Sequence, residues 1–160
     1  LYRVDKPGSG DSDGNAATGD FDTELAAYQL AFREMARFDF IDRDRVFIFG
    51  LSNGGGFAPL IAQGAAVRGY IVKGGWAKTW YEHMLEIERR IATLSGQTPG
   101  AVNARQNQIA ELYTDYLIHG RAPADIFRDK PQLRPLWTDA TPDVQYGRPY
   151  TYYQQLQKLN

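Results

Sequence analysis

The sequence predicts an α/β fold in its first half and an all-helical second half. Residues 1–76 alternate apolar β-type runs with amphipathic helical patterns. That order requires crossover connections, and therefore a parallel sheet of about three strands with helices on both faces. From Ala77 to Asn160 almost no strand pattern occurs, and apolar residues recur at helical spacing. We therefore expect two domains, residues 1–76 and residues 77–160.

The composition is that of one globular core with at most an appendage. The 160 residues are 43% hydrophobic and 13% aromatic, which argues against disorder. The net charge of −1 comes without long blocks of like charge, so no nucleic-acid partner is predicted. Cysteine is absent, which excludes disulfides and thiolate metal sites but leaves the compartment open. No apolar run approaches the ~20 residues of a membrane span.

The first predicted strand and helix precede the most informative motif. Leu1–Val4 is expected to end a strand, and Asp5–Gly14 to form a turn-rich loop. The Gly-x-Gly in this loop lacks the third glycine and the helix of a dinucleotide site, so we predict a plain loop. A helix is expected from an N-cap at Asp22 or Thr23 to about Arg37. Its apolar face consists of Leu25, Tyr28, Phe32 and Met35.

The centre of the predicted sheet lies around Ser52. The apolar run Val46–Gly50 predicts a strand buried on both faces, and Asn53–Gly64 predicts the helix that follows it. A third short strand is expected at Val67–Val72. Ser52 thus lies in a strand-to-helix turn.

Gly50, Ser52 and Gly54 form the pattern G-x-S-x-G, which is typical of a nucleophile elbow. The nucleophilic serine sits at the tip of a strained turn that only small neighbours allow, and Gly55 relieves the crowding further. We expect Ser52 to have a strained or positive φ. The backbone N–H of Asn53 and the field of the helix N-terminus would then stabilise an oxyanion. The alternative is a glycine-rich turn whose serine merely caps the helix.

The second half is predicted to consist of helices joined by irregular segments. An apolar stripe predicts a helix over Trp80–Leu94, and Thr98-Pro99 starts a second helix that continues to about Leu117. A short helix is expected near Ala124–Arg128, followed by an irregular stretch at Lys130–Gly147. Pro149 is expected to open the last helix.

Three segments carry a family resemblance: VDKPGSGDSDG, DRDRVFIFGLSNGGGFAPLIAQ and VRGYIVKGGW. They resemble the α/β-hydrolase superfamily, in particular bacterial serine hydrolases related to dienelactone hydrolases and prolyl-oligopeptidase-like peptidases. The similarity covers about the first 76 residues. It implies a partial α/β-hydrolase core with a nucleophile elbow there, and a helical lid or cap insertion in residues 77–160. It also implies an esterase or peptidase that cleaves an ester, thioester or amide through a Ser52 acyl-enzyme.

The chain departs from the family in two ways. The usual Gly-His-Ser-Met-Gly-Gly reads GLSNGG here, so the substrate contacts of Leu51 are expected to differ. The family's catalytic acid, its histidine and its second oxyanion donor lie in segments that this sequence lacks. His83 and His119 fall within helical patterns and are interpreted as packed or solvent-facing residues rather than as the base. We therefore expect a fragment, cut at its N-terminus and inactive alone, with the remaining segments of the hydrolase core as its partners.

Two other groups of residues have a weaker functional interpretation. The carboxylates of Asp11, Asp13, Asp20 and Asp22 lack the spacing of a calcium loop, so neither a metal nor a cofactor is predicted. Aromatic rings, foremost Trp76 and Trp80, are candidates for lining a pocket for a small-molecule or peptide acyl substrate, or alternatively for a small helical core. The full set is Trp76, Trp80, Trp137, Tyr146, Tyr150 and Tyr153. The rival hypothesis for function is a non-catalytic binding or interaction module.

Overall fold

The computed structural model describes residues 1–159, which form two compact units. The first unit spans Leu1 to Ala77, and the second begins at Lys78. Helices account for 51% of the chain, and the strands form two separate two-stranded sheets, one parallel and one antiparallel. The fold class predicted from the sequence, with a parallel sheet of about three strands followed by an all-helical half, is therefore wrong.

The first unit is built from two helices and two strands. The strands pair in parallel, with Phe47 opposite Gly69 and Leu51 opposite Lys73. A turn of 3-10 helix at Arg43–Arg45 leads into the first strand. The elements, in chain order, are α1 (Phe21–Met35), β1 (Phe47–Leu51), α2 (Gly54–Ile61) and β2 (Gly69–Lys73).

The strand expected at Leu1–Val4 does not form, whereas the one expected at Val67–Val72 is present as β2. Leu1–Val4 pairs with neither β1 nor β2, and the side chains of Leu1 and Tyr2 are exposed. A β-type residue pattern favours a strand only where a neighbouring strand offers its N–H and C=O groups, and sequence spacing does not report whether that neighbour is in place.

The helices cover only one face of the parallel sheet, not both. α2 lies against the face that carries Gly50 and Val72. α1 packs on α2 instead of on the sheet: the rings of Phe21 and Phe57 stack with centroids 4.5 Å apart. The opposite face remains open to solvent, and its apolar side chains are Phe47 (57% exposed), Phe49 (61%), Leu51 (59%) and Ile71 (56%).

The start of α1 differs slightly from the expected position. The helix begins at Phe21, and its N-cap is Asp20, whose carboxylate accepts a hydrogen bond from the Thr23 N–H at 2.9 Å. Asp22 and Thr23 lie inside the first helical turn, so neither occupies the N-cap position that was predicted for them.

The second unit is a helical assembly around a buried apolar core. A π-helical segment, Thr114–Ile118, continues α4, and a 3-10 helix covers Pro131–Leu136. None of the helices within residues 1–159 combines the length and apolarity that crossing a membrane requires. The α-helices are α3 (Trp80–Leu94), α4 (Pro99–Tyr113), α5 (Pro123–Asp129) and α6 (Tyr150–Leu156). The fully buried side chains include Met84, Ile109, Leu112, Tyr116, Ile126, Leu133, Tyr152 and Leu156.

The second unit also contains a small β-hairpin, so the prediction that it is all-helical is wrong. β3 (Val144–Gln145) pairs antiparallel with β4 (Arg148–Pro149). The two residues between them, Tyr146 and Gly147, have φ of 49° and 72°, which is the conformation of a type I′ turn. The Asp139 carboxylate accepts hydrogen bonds from both of their N–H groups, at 2.7 and 3.4 Å. The prediction of an irregular stretch at Lys130–Gly147 is thus wrong at both ends: Pro131–Leu136 forms a 3-10 helix, and these tertiary hydrogen bonds order the hairpin turn.

Candidate active site

Ser52 lies at the tip of the turn between β1 and α2. Its φ is 54°, so the positive φ expected from the motif is confirmed. The Ser52 N–H donates to the Lys73 carbonyl at 2.9 Å, and its carbonyl accepts from the Gly55 N–H at 2.9 Å. Both backbone polar groups of the serine therefore hold the turn, while the residue itself is exposed.

The three glycines of the elbow do not have the same role. A Cβ on Gly50 would lie 2.3 Å from the Gly54 carbonyl oxygen, and a Cβ on Gly55 would lie 2.7 Å from Cγ1 of Val72. No side chain fits at either position without displacing its neighbours. A Cβ on Gly54 would meet nothing within 4 Å. Packing therefore explains Gly50 and Gly55, and the structure gives Gly54 no steric role.

The first turn of α2 offers two unused hydrogen-bond donors. Within residues 1–159, neither the Asn53 N–H nor the Gly54 N–H donates to an acceptor, and the Asn53 side chain makes no capping hydrogen bond. Unpaired N–H groups at a helix N-terminus, together with the helix field, are favourable for an anionic oxygen. They are the kind of donors that an oxyanion hole uses.

The unit that carries Ser52 contains no histidine. His83 lies on α3 and His119 directly follows the π-helical segment, so both belong to the second unit. Burial lowers the pKa of His83 below its ordinary value. The Nδ1 atom of His119 lies 3.2 Å from Oδ1 of Asp115. The Ser52 hydroxyl makes no hydrogen bond within the part of the chain that the structure describes, so the first unit holds an exposed serine and two unpaired N–H groups but no histidine.

Asp115 is the centre of a charged cluster that sequence reasoning missed. Its side chain is only 12% exposed and lies 2.9 Å from the Lys130 ammonium and 3.3 Å from the Arg121 guanidinium. The hydrogen bond from Lys130, assisted by His119 and Arg121, lowers the pKa of Asp115. The cluster ties the π-helical segment to the residues on either side of α5. Its members are spread over 16 positions, from Asp115 to Lys130, and no motif connects them.

The other predicted site residues lie in different surroundings. Trp76 is half-buried, and its ring lies against the first turn of α2. Trp80 is 6% exposed and stacks on Tyr153 with ring centroids 5.0 Å apart. This favours the helical-core interpretation for Trp80 and Tyr153. Leu51 lies on the open face of the sheet, opposite α2. Among residues 1–159, no group of three or more acidic or histidine side chains is arranged to hold a metal ion.

No protein-family model, curated protein or solved structure matches this chain. The resemblance to α/β-hydrolases therefore depends on the residues around Ser52 and stays a proposal. The lid function of the second unit also stays a prediction.

Proposed function

We propose that this chain carries the nucleophile of a serine hydrolase related to the α/β-hydrolases. Ser52 would attack the carbonyl carbon of an ester, thioester or amide in a small-molecule or peptide substrate. The observation that supports this proposal best is the conformation of Ser52: an exposed serine with φ of 54°, next to two N–H groups without acceptors.

The geometry argues against a serine that only caps the helix. A capping serine accepts a hydrogen bond from an N–H of the first helical turn through its hydroxyl oxygen. The Ser52 hydroxyl takes part in no such bond in the described residues, and the N-cap position of α2 is Asn53. A non-glycine residue at positive φ costs about 1–3 kcal/mol and persists mainly where the surrounding structure or a function requires it.

The proposed reaction proceeds through an acyl-enzyme. The Ser52 oxygen forms a bond to the substrate carbonyl carbon while a general base takes the hydroxyl proton. The carbonyl oxygen becomes an oxyanion, which accepts a hydrogen bond from the Asn53 N–H. The leaving group then departs with the proton, and water cleaves the acyl-enzyme by the reverse sequence of proton transfers. Neither a cofactor nor nucleic acid takes part in these steps.

The base and its acid partner must come from outside Leu1–Ala77, because that unit contains no histidine. We propose that further segments of the hydrolase core, not among these 160 residues, supply both groups. A fluorophosphonate probe applied to the protein as its native cells produce it should label the wild type and spare Ser52→Ala. Labelling of neither protein, or of both equally, would instead favour the binding-module hypothesis.

A second experiment tests the elbow without any need for a base. Because the chain has no cysteine, Ser52→Cys introduces a single thiol at the turn. The unused N–H groups and the helix N-terminus should stabilise its thiolate, with a thiol pKa of about 7.5 or lower. Ser95→Cys is the matched control, because Ser95 is exposed and lies at a helix C-terminus, that of α3, instead of a helix N-terminus. A thiol pKa of about 8.5 or higher is expected there. Thiolate absorbance measured against pH reports both values, and equal pKa values would contradict the proposed oxyanion site.

A further inference from the structure

The loop after β2 reaches the same end of the sheet as Ser52. Because β1 and β2 run in parallel, their carboxyl ends lie side by side. Ser52 follows β1, Gly74–Trp76 follows β2, and the hydrogen bond from the Ser52 N–H to the Lys73 carbonyl connects the two ends. In open α/β sheets, ligands bind in the crevice outside these carboxyl ends.

Glycines bring this loop into contact with the elbow. A Cβ on Gly75 would lie 3.5 Å from the Gly55 Cα and 3.8 Å from the Ser52 carbonyl oxygen. A Cβ on Gly56 would lie only 2.8 and 2.9 Å from the Cζ2 and Cη2 atoms of Trp76. The indole thus occupies the space that a side chain at position 56 would fill. The turn itself does not require a glycine there, so the contact with Trp76 accounts for the third glycine of the Gly54–Gly56 run.

The ring lies beside the first turn of the helix that follows the proposed nucleophile. Gly56 follows Ser52 by four residues and lies in the first turn of α2, where its N–H donates to the Asn53 carbonyl at 3.0 Å. The N–H groups of Asn53 and Gly54 lie in this same turn. Trp76 is half-buried, so part of its apolar surface is accessible.

We propose that Trp76 is a specificity-determining residue whose indole forms a wall of the acyl-binding site and selects substrates with a planar, apolar acyl group. The proposal depends on the assignment of Ser52 as the nucleophile. Aromatic rings gain from stacking beyond the area that they bury. The expected preference for an aryl over a methyl acyl group, attributable to Trp76, is about three- to ten-fold.

The test uses Ser52→Cys, so that acyl transfer does not require a base. The thiolate attacks the carbonyl of a thioester, a new C–S bond forms, the original one breaks, and the donor leaves as its thiolate, which takes a proton from water. Rates are measured by mass spectrometry with phenylacetyl and acetyl thioesters of the same thiol. The phenylacetyl-to-acetyl rate ratio is divided by the ratio for Ser95→Cys, which corrects for the intrinsic reactivity of the two donors. A corrected ratio of about three to ten is expected.

Changes at the ring should remove this preference. With Trp76→Leu, which keeps apolar volume but not the flat ring, the corrected ratio should fall to about one, whereas Trp76→Phe should retain most of it. Gly56→Ala, which displaces the ring, should also lower the ratio. Circular dichroism verifies that each variant is folded.

Two outcomes overturn the proposal: a corrected ratio near one with Trp76 present, or a ratio that Trp76→Leu and Gly56→Ala both leave unchanged. The thiol pKa of Ser52→Cys separates this failure from that of the proposed function. A low pKa together with a ratio near one refutes only the role of Trp76, while an ordinary pKa refutes the elbow as well.

Discussion

Alanine at Gly50 should distort the elbow, because three backbone atoms occupy the space that its Cβ needs. The Cβ would lie 2.3 Å from the Gly54 oxygen, 2.6 Å from the Gly54 carbonyl carbon and 2.8 Å from the Gly55 nitrogen. Ordinary contacts begin at 3.4 Å, so the first turn of α2 must move away from β1 by about 1 Å. Overpacking of this kind costs about 1–3 kcal/mol of unfolding free energy.

Gly54→Ala is the matched control within the same motif. Its Cβ would meet nothing within 4 Å, and Gly54 is the first residue of α2 with no positive φ. Alanine reduces the freedom of the unfolded chain, so this substitution should be neutral or should stabilise by up to about 1 kcal/mol. The unfolding free energies of the two variants are therefore expected to differ by about 1–4 kcal/mol.

Hydrogen exchange of the amides in β1 and β2 measures this difference in the unit that carries the elbow. The Ser52 N–H, which donates to the Lys73 carbonyl, is the most direct reporter of local opening. Gly50→Ala should lower its opening free energy, and Gly54→Ala should leave it unchanged or raise it. Equal losses in both variants would refute the steric explanation and would mean that the two glycines serve the turn in the same way.

Two further predictions concern the charged cluster and the open sheet face. Asp115→Asn should destabilise the second unit by about 1 kcal/mol at pH 7, because the carboxylate loses its charge-assisted bonds to Lys130 and Arg121, both partly solvent-exposed. The fold lowers the pKa of Asp115 from its ordinary 3.8, so its contribution to stability is complete above about pH 4 and is lost as the pH falls further. Urea unfolding from pH 3 to 7 should therefore show a smaller acid-induced loss of stability for Asp115→Asn than for the wild type. An equal loss in both proteins would contradict this assignment. The isolated chain should self-associate through the open sheet face of Phe47, Phe49, Leu51 and Ile71. In sedimentation velocity, Phe49→Lys should reduce this association. A wild-type chain that stays monomeric at high concentration would contradict the prediction.

Local sequence patterns were sufficient for most helices and for the conformation of Ser52. The stripe at Trp80–Leu94 predicts the bounds of α3 as the structure has them, since side chains three and four residues apart share one helix face whatever surrounds them. The positive φ of Ser52 likewise follows from its place between a short apolar strand and a glycine-rich helix start. These features depend on residues close together in the chain.

The features that the sequence did not determine depend on partners distant in the chain. Whether Leu1–Val4 joins the sheet depends on a neighbouring strand, and whether Gly50 or Gly54 needs to be glycine depends on the backbone opposite each one. The hairpin around Tyr146 is held by Asp139, and Lys130 reaches Asp115 from the far end of α5. Hydrogen bonds, steric contacts and ion pairs depend on distances in space, which the spacing of residues along the chain specifies only within a single helix, strand or turn.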